Sequence, residues 1–80
     1  DAPYRITLIN KNVPNIVAAI STAVSDLDIN IANILNRSKG DFAYTILDLD
    51  ETDKSKIDQL VQLFDGSEPI VKVRLIAGKK

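Results

Sequence analysis

The spacing of the apolar residues constrains this chain most, because it switches between two periods and so dictates which segments run as strands and which coil into helices. From Tyr4 to Ile9 the order Tyr-Arg-Ile-Thr-Leu-Ile alternates Ile6 and Leu8 against Arg5 and Thr7, which predicts a half-buried first strand. Asn10, Lys11, Asn12 and Val13 follow as a polar turn. Pro14 suits a first helical turn, where its missing N–H costs nothing. Ile16, Ile20, Val24 and Leu27, with Ala19 and Ala23, then recur at helical spacing. A helix is therefore expected from Pro14 to about Asp28, with that stripe against a sheet.

Beyond it the period returns to two. Ile29 to Arg37 is rich in isoleucine and leucine, and the turn Lys39-Gly40-Asp41 separates it from Phe42 to Leu49, a pattern that predicts a β-hairpin. In the second arm Ala43, Thr45, Leu47 and Leu49 share one face and Phe42, Tyr44, Ile46 and Asp48 the other; the alternation leaves open which face meets the helices. Thr52 or Asp53 can cap a second helix, whose stripe Ile57, Leu60, Val61 and Phe64 ends before Gly66. Val71, Val73 and Leu75 alternate with Lys72 and Arg74 in a last strand, and Gly78-Lys79-Lys80 forms a tail. The order β-α-β-β-α-β with short connections predicts an α+β, ferredoxin-like fold: a four-stranded antiparallel sheet with two helices on one face.

Eighty residues support one core only, so residues 1–80 are expected to form a single domain with its packed part at about 4–76. With no cysteine and no histidine, neither a disulfide nor a zinc site can brace it, and packing must supply the stability. The missing cysteines favour a cytoplasmic location. Val13 to Ser25 lies in the longest uncharged stretch, which is too short to span a bilayer, so no membrane partner is expected. A net charge of −1 with pI near 5.2 gives no overall pull toward phosphate backbones, and no nucleic-acid partner is expected either. The chain begins at Asp1 and contains no methionine, which points to a piece of a longer protein.

Without histidine or cysteine the commonest catalytic machinery is missing, so no catalytic residues are assigned and no activity is expected of this domain. The acidic run Asp48, Asp50, Glu51 and Asp53 lacks the spacing and glycine of a calcium loop and is better explained as a solvated turn at a helix N-terminus. No metal site and no cofactor are assigned here. More informative are the asparagines: Asn10, Asn12 and Asn15 crowd the turn before the first helix, and Asn30 follows its end. Amides offer donors and an acceptor without charge, which suits a zwitterionic ligand. Equally, asparagine forms turns and caps helices, and composition alone favours that plainer account.

The segment Leu8-Ile-Asn-Lys-Asn-Val-Pro-Asn-Ile, followed by Asp28-Ile-Asn-Ile-Ala, resembles the ACT domain at the C-terminus of D-3-phosphoglycerate dehydrogenases. Gly40-Asp-Phe-Ala-Tyr-Thr-Ile-Leu-Asp-Leu-Asp and Val71-Lys-Val-Arg-Leu-Ile are similar to that family's third and fourth strands, so the resemblance runs from about Tyr4 to Ile76. It implies a regulatory domain of a serine-biosynthesis enzyme that binds L-serine between two copies joined side by side into one sheet, for feedback control. It also implies that Asn12 of one copy and Asn30 of the other hold the ligand, with Asn10 and Asn15 on matching positions of the turn. The parent catalytic domain is then an expected partner, an oxidoreductase carrying NAD. Asn10 replaces a histidine of the serine-inhibited members and Asn15 a glycine; the latter either blocks the ligand's approach or takes a glycine-like conformation.

Homodimerisation has separate support. In this topology the second strand is an edge, expected to expose Ile31, Ala32, Ile34 and Leu35 with no proline to blunt it. Two other readings remain: an ACT domain from a different enzyme or regulator sensing another amino acid, and, at a distance, an RNA-binding module of the same topology. Lys39-Gly-Asp-Phe-Ala-Tyr resembles the third-strand signature of such modules, but Asp41 interrupts it and the first strand offers Arg5, Thr7 and Ile9 instead of an aromatic ring. An acylphosphatase-like enzyme would want an arginine in the first loop, where this chain has asparagines and Lys11.

Overall fold

A computed structural model describes residues 2–77; the Gly78-Lys79-Lys80 tail lies outside the described residues. The elements are β1 (Tyr4–Lys11), α1 (Ile16–Asp26), β2 (Asn30–Lys39), β3 (Phe42–Asp50), α2 (Lys54–Phe64) and β4 (Ile70–Ala77). The strands form one antiparallel sheet in the order β2-β3-β1-β4, so β2 and β4 are its edges. This is the ferredoxin-like arrangement expected from the two periodicities.

Alternation along the strands divides the sheet into an inner and an open face. Ile6 and Leu8 of β1 sit opposite Leu47 and Thr45 of β3, and all four are fully buried. Ile16, Ile20 and Val24 of α1 and Ile57, Leu60 and Phe64 of α2 complete one core with Leu49 and Ile29. Ala43, Thr45, Leu47 and Leu49 therefore mark the face that meets the helices, while Phe42 and Tyr44 stay about half exposed on the other.

Each helix has its own terminus chemistry. Asp53, in an extended conformation, accepts from the Ser55 amide at 3.0 Å and from the Ser55 hydroxyl at 2.7 Å, so it satisfies an amide that the first turn of α2 leaves without a partner. Asn15 precedes α1 in the left-handed region, φ 65°, without a side-chain cap. Gly40 closes the β2–β3 hairpin at φ +64°, a conformation that side-chain-bearing residues resist.

Among the departures from the sequence expectation, β2 runs from Asn30 to Lys39 and not from Ile29 to Arg37, and three others bear on the turn and the open face. β1 runs on through Asn10 and Lys11, which pair with Ala43 and Phe42, because the hairpin arm is long enough to hold them in the ladder. α1 begins at Ile16 and not at Pro14, since the left-handed Asn15 interrupts helical geometry. In β4 the register shifts opposite Ile9 and Asn10, so that Ile70 pairs with Asn10 and Lys72 with Ile9. This bulge skips Val71, which is 55 % exposed instead of lying inward with Val73 and Leu75.

Candidate functional site

The turn after β1 is fastened to its surroundings by the main chain. The Lys11 amide donates to the Pro69 carbonyl at 2.9 Å, and the Asn12 amide donates to the Asp41 carbonyl at 2.8 Å. Asn12 Nδ2 donates to the Gly40 carbonyl at 3.1 Å. Asn12 is thus tied twice to the β2–β3 hairpin tip, yet its side chain stays exposed, which leaves the amide oxygen available as an acceptor. Asn15 lies three residues on. Of the two outcomes considered for it, the φ of 65° corresponds to the glycine-like conformation.

Asn10 is placed differently from its neighbours: it is fully buried. Its Oδ1 accepts from Thr45 Oγ1 at 2.9 Å, its Nδ2 donates to the Lys11 carbonyl at 3.0 Å, and Thr45 Oγ1 in turn accepts from Asn36 Nδ2 at 2.7 Å. A polar relay therefore crosses the inner face of β2, β3 and β1. Such a chain of bonds orients each member, and removing the middle one would strand polar atoms on both sides. Sequence reasoning did not single out Asn36 and Thr45. The available signal was Thr45 itself, a hydroxyl on the otherwise apolar face Ala43, Leu47 and Leu49.

Asn30 opens β2 and pairs with Asp50 of β3, at the end of the sheet opposite the hairpin tip. Its side chain is exposed. Asn12 and Asn30 of one chain are consequently separated by the length of β2, about 30 Å for ten extended residues, and a single copy does not bring them together. Along the edge between them, Ile31 and Ile34 are not exposed as expected: they pair with the inward-facing Leu49 and Leu47 and are half-buried against the core. Ala32 is exposed at a bulge where the register with β3 shifts between Ile31 and Asn33, and Leu35 is 40 % exposed on the open face.

The carboxylates after β3 are engaged within the chain. Asp48 receives Arg5 Nε at 2.7 Å and Arg5 Nη2 at 3.2 Å. The Arg5 hydrogen bond holds the Asp48 carboxyl below its ordinary range, against the opposing effect of partial burial. Bonds from Ser55 lower the Asp53 carboxyl in the same way. Glu51 accepts from the Asp53 amide at 3.1 Å and lies 3.7 Å from Lys56 Nζ. Among the described residues no cluster of acids is arranged to hold a metal ion, and no helix is long and apolar enough to cross a membrane.

No family model matches the chain, and no curated protein matches its sequence. Solved structures do resemble it. The ACT domain of GTP pyrophosphokinase from Chlorobium tepidum superposes with a TM-score of 0.78 at 16 % identity, over 91 % of this chain and 95 % of that one. An ACT domain protein from Streptococcus pneumoniae gives 0.70 at 17 % identity, covering 96 % and 91 %. For the ligand-free regulatory subunit of aspartate kinase from Thermus thermophilus the score is 0.66 at 17 % identity, over 94 % of this chain and 50 % of the subunit. At such identities the likeness is one of fold, and the fold is that of ACT domains.

Proposed function

We propose that this chain is an amino-acid-binding regulatory domain of the ACT type, without catalysis of its own, which works by pairing with a second copy along β2. The observation that carries this reading is an ACT fold over nearly the whole chain, with a free β2 edge flanked at each end by an exposed amide, Asn12 and Asn30. Antiparallel pairing of β2 with β2 of a second copy about a two-fold axis sets the start of one strand beside the end of the other. Asn30 of one copy then approaches the Gly40 hairpin tip of its mate, to which Asn12 is bonded. The pairing thus removes the separation that a single copy imposes and builds a crevice with amides on both sides. Donors and acceptors of this kind match an ammonium and a carboxylate on one small ligand.

The ligand we propose is L-serine, and the parent a D-3-phosphoglycerate dehydrogenase-like, NAD-dependent oxidoreductase of the cytoplasm. Support for that finer assignment comes from the turn residues Asn10, Asn12, Pro14 and Asn15 and from Asn30 in β2. In this reading the nicotinamide cofactor belongs to the parent's catalytic domain and not to this chain. Asn12 and Asn30 contact the effector. Asn15 shapes the turn, while Asn10, buried and bonded to Thr45, braces it from beneath.

Calorimetric titration with each common amino acid tests the proposal. L-Serine is expected to bind, and Asn12→Ala and Asn30→Ala are each expected to weaken it about tenfold or more, the effect of losing a hydrogen bond to a charged group. Binding of a different amino acid with the same dependence on both residues would keep the regulatory role and discard the serine parent. Absence of heat with every amino acid would overturn the reading.

A further inference from the structure

The net charge of −1 conceals a strong segregation. The strand registers place Arg5, Lys11, Arg37, Lys39, Lys72 and Arg74 on the open face of the sheet, six of the ten basic residues in the chain. Only two strand acids share that face: Asp48, already paired with Arg5, and Asp50 at the far end beside Asn30. The other described acids lie in helices and connections, Asp41 at the hairpin tip among them. Between the cations stand the exposed rings Phe42 and Tyr44, at 49 % and 45 %. Pairing across the strands sets Phe42 between Lys39 and Lys11, and the next row runs Arg37, Tyr44, Ile9, Lys72. Shallow depressions of about 370 Å³ and about 150 Å³ flank Tyr44, one bordered by Arg37 and Lys39 and the other by Lys72 and Arg74.

We infer that this face binds a single-stranded nucleic acid. Three observations select that occupant. The cations of β2 and β4 are three strand spacings apart, about 14 Å, farther than one phosphate reaches but suited to successive phosphates of a strand laid across the sheet. Exposed aromatic rings between those cations give bases a surface to stack on, which an acidic peptide does not require. A four-stranded face is too broad for the major groove of a duplex, which admits a helix or a two-stranded ribbon. A second copy of the chain is a poor occupant. Two open faces would bring like charges together, and docking of the acidic connections of one copy on the basic face of another would be head to tail and would not close. The inference is independent of the effector site, since pairing along β2 leaves the open faces of both copies uncovered.

Fluorescence anisotropy with a labelled single-stranded oligouridylate of about ten nucleotides, at about 50 mM salt, tests it. Binding is expected, with the logarithm of affinity falling against the logarithm of salt by about 0.7 per phosphate neutralised. Tyr44→Ala should weaken binding about tenfold and leave the salt slope unchanged, while Tyr44→Phe retains affinity because the ring remains. Lys72→Glu with Arg74→Glu should weaken binding and flatten the slope by about 1.4, the share of two phosphates. Lys54→Glu with Lys56→Glu on α2 should change neither, and thermal melting confirms that each variant is folded. No binding, or binding that ignores both Tyr44 and the Lys72/Arg74 pair, would overturn the inference. So would polyglutamate competing with equal affinity and equal dependence on Tyr44, which would assign the face to an acidic protein.

Discussion

Thr45 shows how much one side chain can carry here. Its hydroxyl donates to Asn10 and accepts from Asn36, so Thr45→Val, nearly isosteric, should leave two amide groups short of a partner. A loss of about 1–3 kcal/mol is expected for stranding buried polar atoms, to be read from the urea midpoint at unchanged m-value. An unchanged midpoint would mean the relay adds nothing. Asp48 makes a pH prediction on the open face. Its carboxyl titrates below the ordinary value because Arg5 bonds it, so the unfolded chain takes up that proton first as pH falls. The pair's contribution is therefore present above the unfolded carboxylate value of about 3.9 and is lost as pH drops through the lower folded value. Asp48→Asn should flatten the acid limb of a stability-against-pH curve in that window; an unaltered limb would contradict the assignment. At this scale the sequence was least legible. Asn10 and Asn12 are two residues apart in one polar segment, yet the first is buried and the second exposed. Strand pairing decides between them, and composition does not record it.

Among the elements, order and type were legible because each apolar stripe repeats over several turns or alternations. Ile57, Leu60 and Phe64 fall on one side of α2 and are all buried, and the β3 alternation separates buried Thr45 and Leu47 from exposed Tyr44. Where a single residue breaks the period, the pattern misled: Val71 continued the alternation of Val73 and Leu75, but the β4 bulge turns it outward. Nor could alternation alone say which side of β3 faces inward, since Phe42, Tyr44 and Ile46 are as apolar as the buried set. The helices decide it by covering one face. Ile57, fully buried at the middle of the α2 stripe, ties that helix to the sheet. Ile57→Ala should cost about 2–5 kcal/mol, a large part of the total stability expected for a domain of this size. Chemical denaturation would show it, and a loss well under 1 kcal/mol would mean that α2 packs loosely.

At the level of the whole molecule, a small uncross-linked core is joined to surfaces of distinct character. Charge is divided between a basic open face and acidic connections, a division the net charge of −1 cancels from view. The β2 edge, by contrast, was legible as an edge from topology alone, and the structure places it there. Its outward main-chain groups and the exposed amides at its two ends are what the regulatory reading rests on. Because an effector held by two copies binds only their assembled form, it must tighten their association by linkage. Sedimentation equilibrium of the chain across a range of concentrations, without and with saturating L-serine, measures this directly. The account predicts a reversible dimer whose dissociation constant falls when the amino acid is added. A monomer at every concentration, with the amino acid as without it, would contradict it.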